Sequence, residues 1–331
     1  MADADDIDPS AICARGSLSS ADVAAIRRGY YQDGVVAEGE ADALFAIEQS
    51  CRMQPPEWGP LFVEAITDYL VHQLKPEGYL TAENASWLTE RICLDGKVQT
   101  LNEFNLLVKV LEEARWAPSS LSQLALTQVR DAIVEAAGPL RQTARKPGAG
   151  VATADDVATL RRILYASAGE GNIAVTRAEA EVLLDIGDAV DESLSDPSWA
   201  DLFAKALANY LMAAAGYTAP SREETLRQEA WQSAEPDFGG FLGDMVHSGL
   251  GGIWASYQTP DVEDLALAKV EQQRRALLVS EEITAPEASW LADRIGRDGR
   301  ISQAEHALLG FIKANSSNID PALQPLLARY A

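Results

Sequence analysis

Three cysteines and three histidines in 331 residues leave little material for disulfide or zinc chemistry. Cys13, Cys51 and Cys93, like His72, His247 and His306, are scattered, so they form neither a disulfide framework nor a zinc cluster with its close ligand spacing. Cys51 and Cys93 read as small packed hydrophobes. Apolar runs of about 18 residues, the length a membrane span needs, are missing. The first residues, MADADDIDPSAICARG, lack the basic start and apolar stretch of a signal peptide, so a soluble, cytoplasmic protein is expected. Positive charge is scarce as well: 27 Lys and Arg stand against 50 Asp and Glu, a net charge of -23. Such a field repels phosphate backbones and anionic lipid, which excludes general nucleic-acid binding and argues against membrane contact. It attracts cations and basic partners. Catalytic signatures are missing too: there is no Gly-x-Ser-x-Gly elbow, no Walker-type phosphate loop, and no G-x-G-x-x-G after a strand. The chain is expected not to be an enzyme.

What the chain has in quantity is itself, repeated. TAENASWLTERICLDGKV from Thr81 matches TAPEASWLADRIGRDGRI from Thr284, with Trp87 on Trp290 and Asp95 on Asp298, an offset of 203. EWGPLFVEAITDYL matches SWADLFAKALANYL, with Trp58 on Trp199 and Tyr69 on Tyr210, an offset of 141. ADVAAIRRGYY matches DDVATLRRILY, with Arg27 and Arg28 on Arg161 and Arg162. The three matches keep their order, which reads as a duplication. The offsets differ by 62, so the second half carries that many extra residues where the first has only HQLKPEGY. The expected organisation is an acidic, flexible N-terminus over 1–17, one domain over 18–145, a linker over 146–153, and a second domain over 154–331. The linker is marked by Pro147, Gly148 and Gly150. The insertion lies at about 213–282.

Apolar residues recur at three- and four-residue spacing in ASWLTERI and EFNLLVKVLEEA, as one buried helix face requires. Alternating β-branched runs are absent, and Ala, Leu, Glu and Arg fill the segments. About six helices per half are expected, in an all-α pair of bundles.

A smaller unit recurs within each half: DGVVAEGE at Asp33, DGKVQTLNE at Asp95, NIAVTRAE at Asn172 and DGRISQAE at Asp298. Asp-Gly supplies a tight turn, and the next apolar residue (Val36, Val98, Val175 or Ile301) tucks it onto the core. Thr100 with Glu103, Thr176 with Glu179, and Ser302 with Glu305 are capping boxes, in which the hydroxyl caps the helix and the Glu reaches back. The same acids also suggest a weak Ca2+ or Mg2+ site formed by Asp33 with Glu40, Asp95 with Glu103, and Asp298 with Glu305. The spacing matches the second half of an EF-hand loop, yet the loop's first position holds Gly29, Arg91, Ala168 and Arg294 instead of an acid. This pairing of helix–Asp-Gly–helix units, each with a Glu after the turn, resembles the TerB-like domain, the family of the tellurite-resistance protein TerB and the N-terminal region of the DjlA co-chaperone. The resemblance covers both halves. It implies an all-α bundle and acidic turns that bind divalent metal. Asn172-Ile173 departs from the family's Asp-Gly.

Arg27-Arg28 and Arg161-Arg162 read as surface ion pairs, and Trp58, Trp87, Trp199 and Trp290 as core markers. The insertion is the least repetitive feature. Phe241, Leu242, Met245, Val246, Leu250, Ile253 and Trp254 fall on one helical stripe among glycines, which is expected to contact another protein or a second copy of the chain. The function expected is therefore that of an interaction or scaffold protein, in a stress- or envelope-associated complex. A cation sensor or buffer, and an enzyme with an unrecognised carboxylate site, are the alternatives.

Overall fold

The computed structural model describes residues 8–30, 36–142, 147–166, 175–214, 289–290, 293–296, 301–315 and 328, with 211–214 and 311–315 described by backbone alone. Among the described residues the protein is helical, and its sheet is one two-stranded antiparallel hairpin. The elements in chain order begin with α1 (Pro9–Arg15), α2 (Ser20–Tyr30), α3 (Glu38–Ser50) and α4 (Trp58–Thr67), which continues as π-helical turns over Asp68–Gln73. Then come α5 (Ala82–Ile92), β1 (Cys93–Leu94), β2 (Lys97–Val98), α6 (Leu101–Glu113) and α7 (Ser119–Glu135). A short 3-10 turn (Pro139–Arg141) leads to α8 (Ala154–Ala166), α9 (Arg177–Ala189) and α10 (Ser198–Ala214), and α11 (Gln303–Asn315) follows later.

Composition marks the N-terminus as a flexible tail, but residues 9–15 of it are helical. The reason is local: the Asp8 carboxylate accepts from the Ser10 and Ala11 amides, Pro9 occupies the first turn, and Gly16 closes the helix in the left-handed region at φ 67°. These are the start and stop signals of a short helix. Ile12 is buried, and α1 packs on α3.

α6 turns Phe104, Leu106, Leu107, Val108, Val110 and Leu111 inside. α4 and α8 pack against it, and α7 packs against both α8 and α9. α10 in turn lies against α8, α9 and α11. The described apolar residues thus form one continuous core running through both halves. In the stretch 147–153, which Pro and Gly mark as a linker, Gly148 and Ala149 are exposed while Gly150 and Ala152 are buried. The Gly150 amide donates to the Ile133 carbonyl at 2.7 Å, and its own carbonyl accepts from Asp191 at 2.8 Å. At Gly150, φ is 78° and a Cβ would stand 2.8 Å from the Ala189 carbonyl oxygen, so only glycine fits. Arg141 and Asp156 join across this stretch through two hydrogen bonds of 2.8 and 2.7 Å, both side chains 4% exposed.

Trp58 and Trp199 are both fully buried, each with a phenylalanine one turn on: Phe62 at 5.9 Å and Phe203 at 5.5 Å between ring centroids. Trp87 and Trp290 sit at the edge of the core, each under an arginine, Arg91 and Arg177 respectively.

Candidate functional site

The turn at Asp95 is fully described. Asp95 and Gly96 take φ 51° and 75°, the two central residues of a hairpin turn in which Cys93 pairs with Val98 and Leu94 with Lys97. Positive φ at both positions is what an Asp-Gly two-residue hairpin uses, and its twist suits antiparallel strands. Asp95 therefore stands exposed at the hairpin tip, while Glu103 is buried at the start of α6. Glu103 accepts from the Thr100 amide at 2.9 Å and the Gln99 amide at 3.2 Å, and the Thr100 hydroxyl accepts from the Glu103 amide at 3.1 Å.

The same reciprocal cap opens α9 and α11. Glu179 accepts from the Thr176 amide at 3.0 Å, and Glu305 from the Ser302 amide at 2.8 Å and the Gly296 amide at 2.8 Å. At α3 the hydroxyl is missing, and Glu40 accepts from the Ala37 amide at 2.7 Å. Every glutamate of the four turns thus accepts a backbone N–H that the helix itself leaves without a partner. Asp33, Asn172 and Asp298 lie outside the described residues.

A second device holds the turns, and sequence reading missed it. The amide of the apolar tuck residue donates to a side-chain carbonyl from a later helix: Val36 to Gln73 at 2.9 Å, Val98 to Gln128 at 3.1 Å and Val175 to Asn209 at 2.8 Å. Each tuck residue is buried, so its N–H needs an acceptor. Nothing in the local pattern signals these partners, because the register of a third helix decides them.

The first half also holds a buried carboxylate centre. Glu48, 3% exposed near the end of α3, accepts from Trp58 Nε1 at 2.6 Å, Gln54 at 2.9 Å, the Thr100 hydroxyl at 2.7 Å and the Asn102 amide at 3.2 Å. Thr100 thereby joins Glu48 to Glu103. Gly59 makes room for Asn102, since a Cβ there would come within 2.5 Å of its side-chain oxygen. Burial pushes the Glu103 carboxyl up to about 7, the Glu48 charge adds to this, and the two amide hydrogen bonds oppose it. Glu103 Oε1 has no partner at good hydrogen-bond geometry; the Gln49 amide, which donates to the Arg91 carbonyl at 2.8 Å, stands near enough to ease the upward shift. Glu179 is also raised by burial, against hydrogen bonds from Thr176 and from Ser122 on α7. Counted from the caps, Glu48 corresponds to Gly187 in α9, so no carboxylate stands at the equivalent position.

Three of the four paired arginines reach carboxylates on the surface: Arg27 to Glu64 at 3.1 Å, Arg161 to Asp201 at 3.9 Å and Arg162 to Glu112 at 2.6 Å. Phe241, Leu242, Met245, Val246, Leu250, Ile253 and Trp254 lie outside the described residues. Among the described residues, no three His, Cys, Asp or Glu gather in a group that would hold a metal ion. No described helix is long and apolar enough to cross a membrane. Compared with family models, curated proteins and solved structures, the chain matches none of them.

The caps yield a graded expectation. Ser302→Ala, which removes a hydroxyl with one bond to the Glu305 amide at 3.1 Å, should cost about 1 kcal/mol. Thr100→Ala should cost more, about 2 kcal/mol, because it also strips a donor from buried Glu48. Urea unfolding of both variants measures the difference, and equal costs would contradict the link between the cap and the Glu48 centre.

Proposed function

We propose that the protein is a non-catalytic interaction or scaffold protein of the cytoplasm, built from two copies of a TerB-like helical domain. The observation that carries this reading is the use of Glu40, Glu103, Glu179 and Glu305 as acceptors for helix-starting amides. The acidic turns serve the fold, and Asp95 and Glu103 of one turn face solvent and interior respectively. That supports capping over cation binding. The duplication is supported by matched surroundings: Trp58 and Trp199, Leu61 and Leu202, and Phe62 and Phe203 are buried alike. Once the repeats are set aside, the insertion at 213–282 is the element left to confer a specific contact.

Thermal melting with Ca2+ and Mg2+ tests the first part. No saturable rise in Tm at micromolar metal is expected, beyond a general screening effect on a chain of net charge -23. A saturable rise that Asp298→Asn abolishes would establish the cation reading instead. Sedimentation and affinity capture from the native host test the second part. Met245→Asp and Trp254→Asp should weaken self-association or partner capture while leaving helicity intact. If they lower the urea midpoint and leave association unchanged, the stripe belongs to the core of the second domain.

A further inference from the structure

We infer that Glu48 and Glu103 form a proton-held clasp at the start of α6: Glu103 caps the helix as a neutral acid, and loss of its proton to water lets the Cys93–Val98 hairpin and the first turn of α6 come away together. Which oxygens have donors carries the inference. Glu48 is met by Trp58 Nε1 at 2.6 Å, Gln54 at 2.9 Å, Asn102 at 3.2 Å and the Thr100 hydroxyl at 2.7 Å. The first three are N–H groups that cannot accept, so this donor set fits Glu48 as a carboxylate. The single Thr100 hydroxyl proton is spent on Glu48, and toward Glu103 that oxygen only accepts, from the amide at 3.1 Å. Glu103, 0% exposed, holds the Gln99 and Thr100 amides on Oε2, while its Oε1 has no partner at good hydrogen-bond geometry. The equivalent caps differ here. Glu179 Oε1 accepts from the Ser122 hydroxyl at 2.9 Å, and Glu305 Oε1 from the Gly296 amide at 2.8 Å. A buried oxygen without a donor, joined through one hydroxyl to a fixed carboxylate, is where a second charge is costly and a proton is kept.

The charges on the surrounding elements are otherwise engaged or exposed. On the hairpin, burial and the Glu103 carboxylate push the Cys93 thiol up to about 11, so it stays neutral, and Asp95 and Lys97 at the tip are exposed. Glu57 and Glu64 beside and on α4 are exposed too, and in the π-helical turns Asp68 is taken by Gln73 and His72 by Glu113. Arg91 at the end of α5 is paired with Asp42, and Asp131 on α7 and Asp156 on α8 with Arg130 and Arg141. Burial, with the Glu48 charge adding to it, thus holds the Glu103 carboxyl up at about 7. What Glu103 fastens is small: two strands of two residues, the Gln99 and Thr100 amides, and Val98 with its bond to Gln128. So short a unit opens at less cost than the whole domain. Once open, Glu103 meets water and returns toward its ordinary value of 4.5, so opening grows as pH rises from there to about 7 and levels off above.

Amide hydrogen exchange of the full chain between pH 5 and pH 8 tests the clasp, each rate being divided by that of an unstructured chain at the same pH. Protection at Val98, Gln99 and Thr100 should fall at least about tenfold across this range, most of it below pH 7. Sub-denaturing urea should leave these amides unchanged while it lowers protection at Leu107 and Val108 in the middle of α6, because a local opening exposes little surface. In Glu103→Gln the protection at Val98, Gln99 and Thr100 should be the same at both pH values. Protection that does not change with pH, a fall of equal size in Glu103→Gln, or losses at 98–100 that follow Leu107 in urea would each overturn the clasp. Should Glu103→Gln not fold, the pH and urea series on the unaltered chain decide by themselves.

Discussion

Arg141→Ala should destabilise the protein by about 3–5 kcal/mol, the largest effect expected from any single change described above. Arg141 and Asp156 are both buried, and they meet through two parallel hydrogen bonds across the chain that joins the two halves. Removing the guanidinium leaves a buried carboxylate whose other donors are the Thr153 amide and hydroxyl, at 2.9 and 2.7 Å. That is too little to replace solvation of the charge. Arg141 Nε has no acceptor of its own, so the pair is itself an imperfectly satisfied one. Arg141→Met combined with Asp156→Asn should therefore recover at least half of the loss, because Asn still accepts from Thr153 and no charge remains inside. Urea unfolding of the single and double variants tests this. A double variant as unstable as Arg141→Ala would show that the cost lies in lost packing.

Glu103→Gln should raise stability by roughly 2–3 kcal/mol at pH 8 and change it little at pH 5. The Glu103 carboxyl has an ordinary value of 4.5 and stands at about 7 in the folded protein. Between these values the folded chain keeps a proton that the unfolded chain has released, so stability falls as pH rises from 4.5 through about 7. Above that window the folded protein carries a buried charge beside Glu48, and Gln removes it while its carbonyl still accepts the Thr100 amide. Glu179 is raised in the same direction and steepens the fall. Asp22, Glu112 and Glu113 are held below their ordinary values, so their contributions are lost only at more acid pH. Unfolding at the two pH values reads out the difference, and an equal gain at both would rule out titration of Glu103 as the cause.

The helices and their starts were legible because both are local. Apolar spacing defines α5 and α6, and a hydroxyl three residues before Glu defines the caps of α6 and α9. The hairpin at Asp95 was half legible: the turn is written in Asp-Gly, but strands of two residues leave no alternating pattern to see. Asp8-Pro9 was a usable start signal for α1, outweighed by the acidic composition around it. Glu48 was hidden for a different reason. A glutamate in a helix reads as solvated surface, and only the meeting of α3 with Trp58, Thr100 and Asn102 turns it inward. Gln73, Gln128, Asn209 and the Arg141–Asp156 pair share that character, since their partners are chosen by packing over long sequence distances.

The amide latches set a rule for cutting the molecule into pieces. Val36, Val98 and Val175 are held by side chains 37, 30 and 34 residues downstream, each on a helix beyond the pair that the turn connects. A fragment that ends between a turn and its latch, after α3 or after α6, strands a buried N–H and exposes the tuck residue it anchors. The smallest self-sufficient length is therefore three helices, whereas the eye picks out two in the repeat. A cut near residue 145 respects both latches of the first half, yet it leaves Arg141 and Ser122 facing missing partners in Asp156 and Glu179. Proteolytic fragments and separately expressed halves should inherit that unmatched polar edge, and would need it replaced before they behave as independent domains.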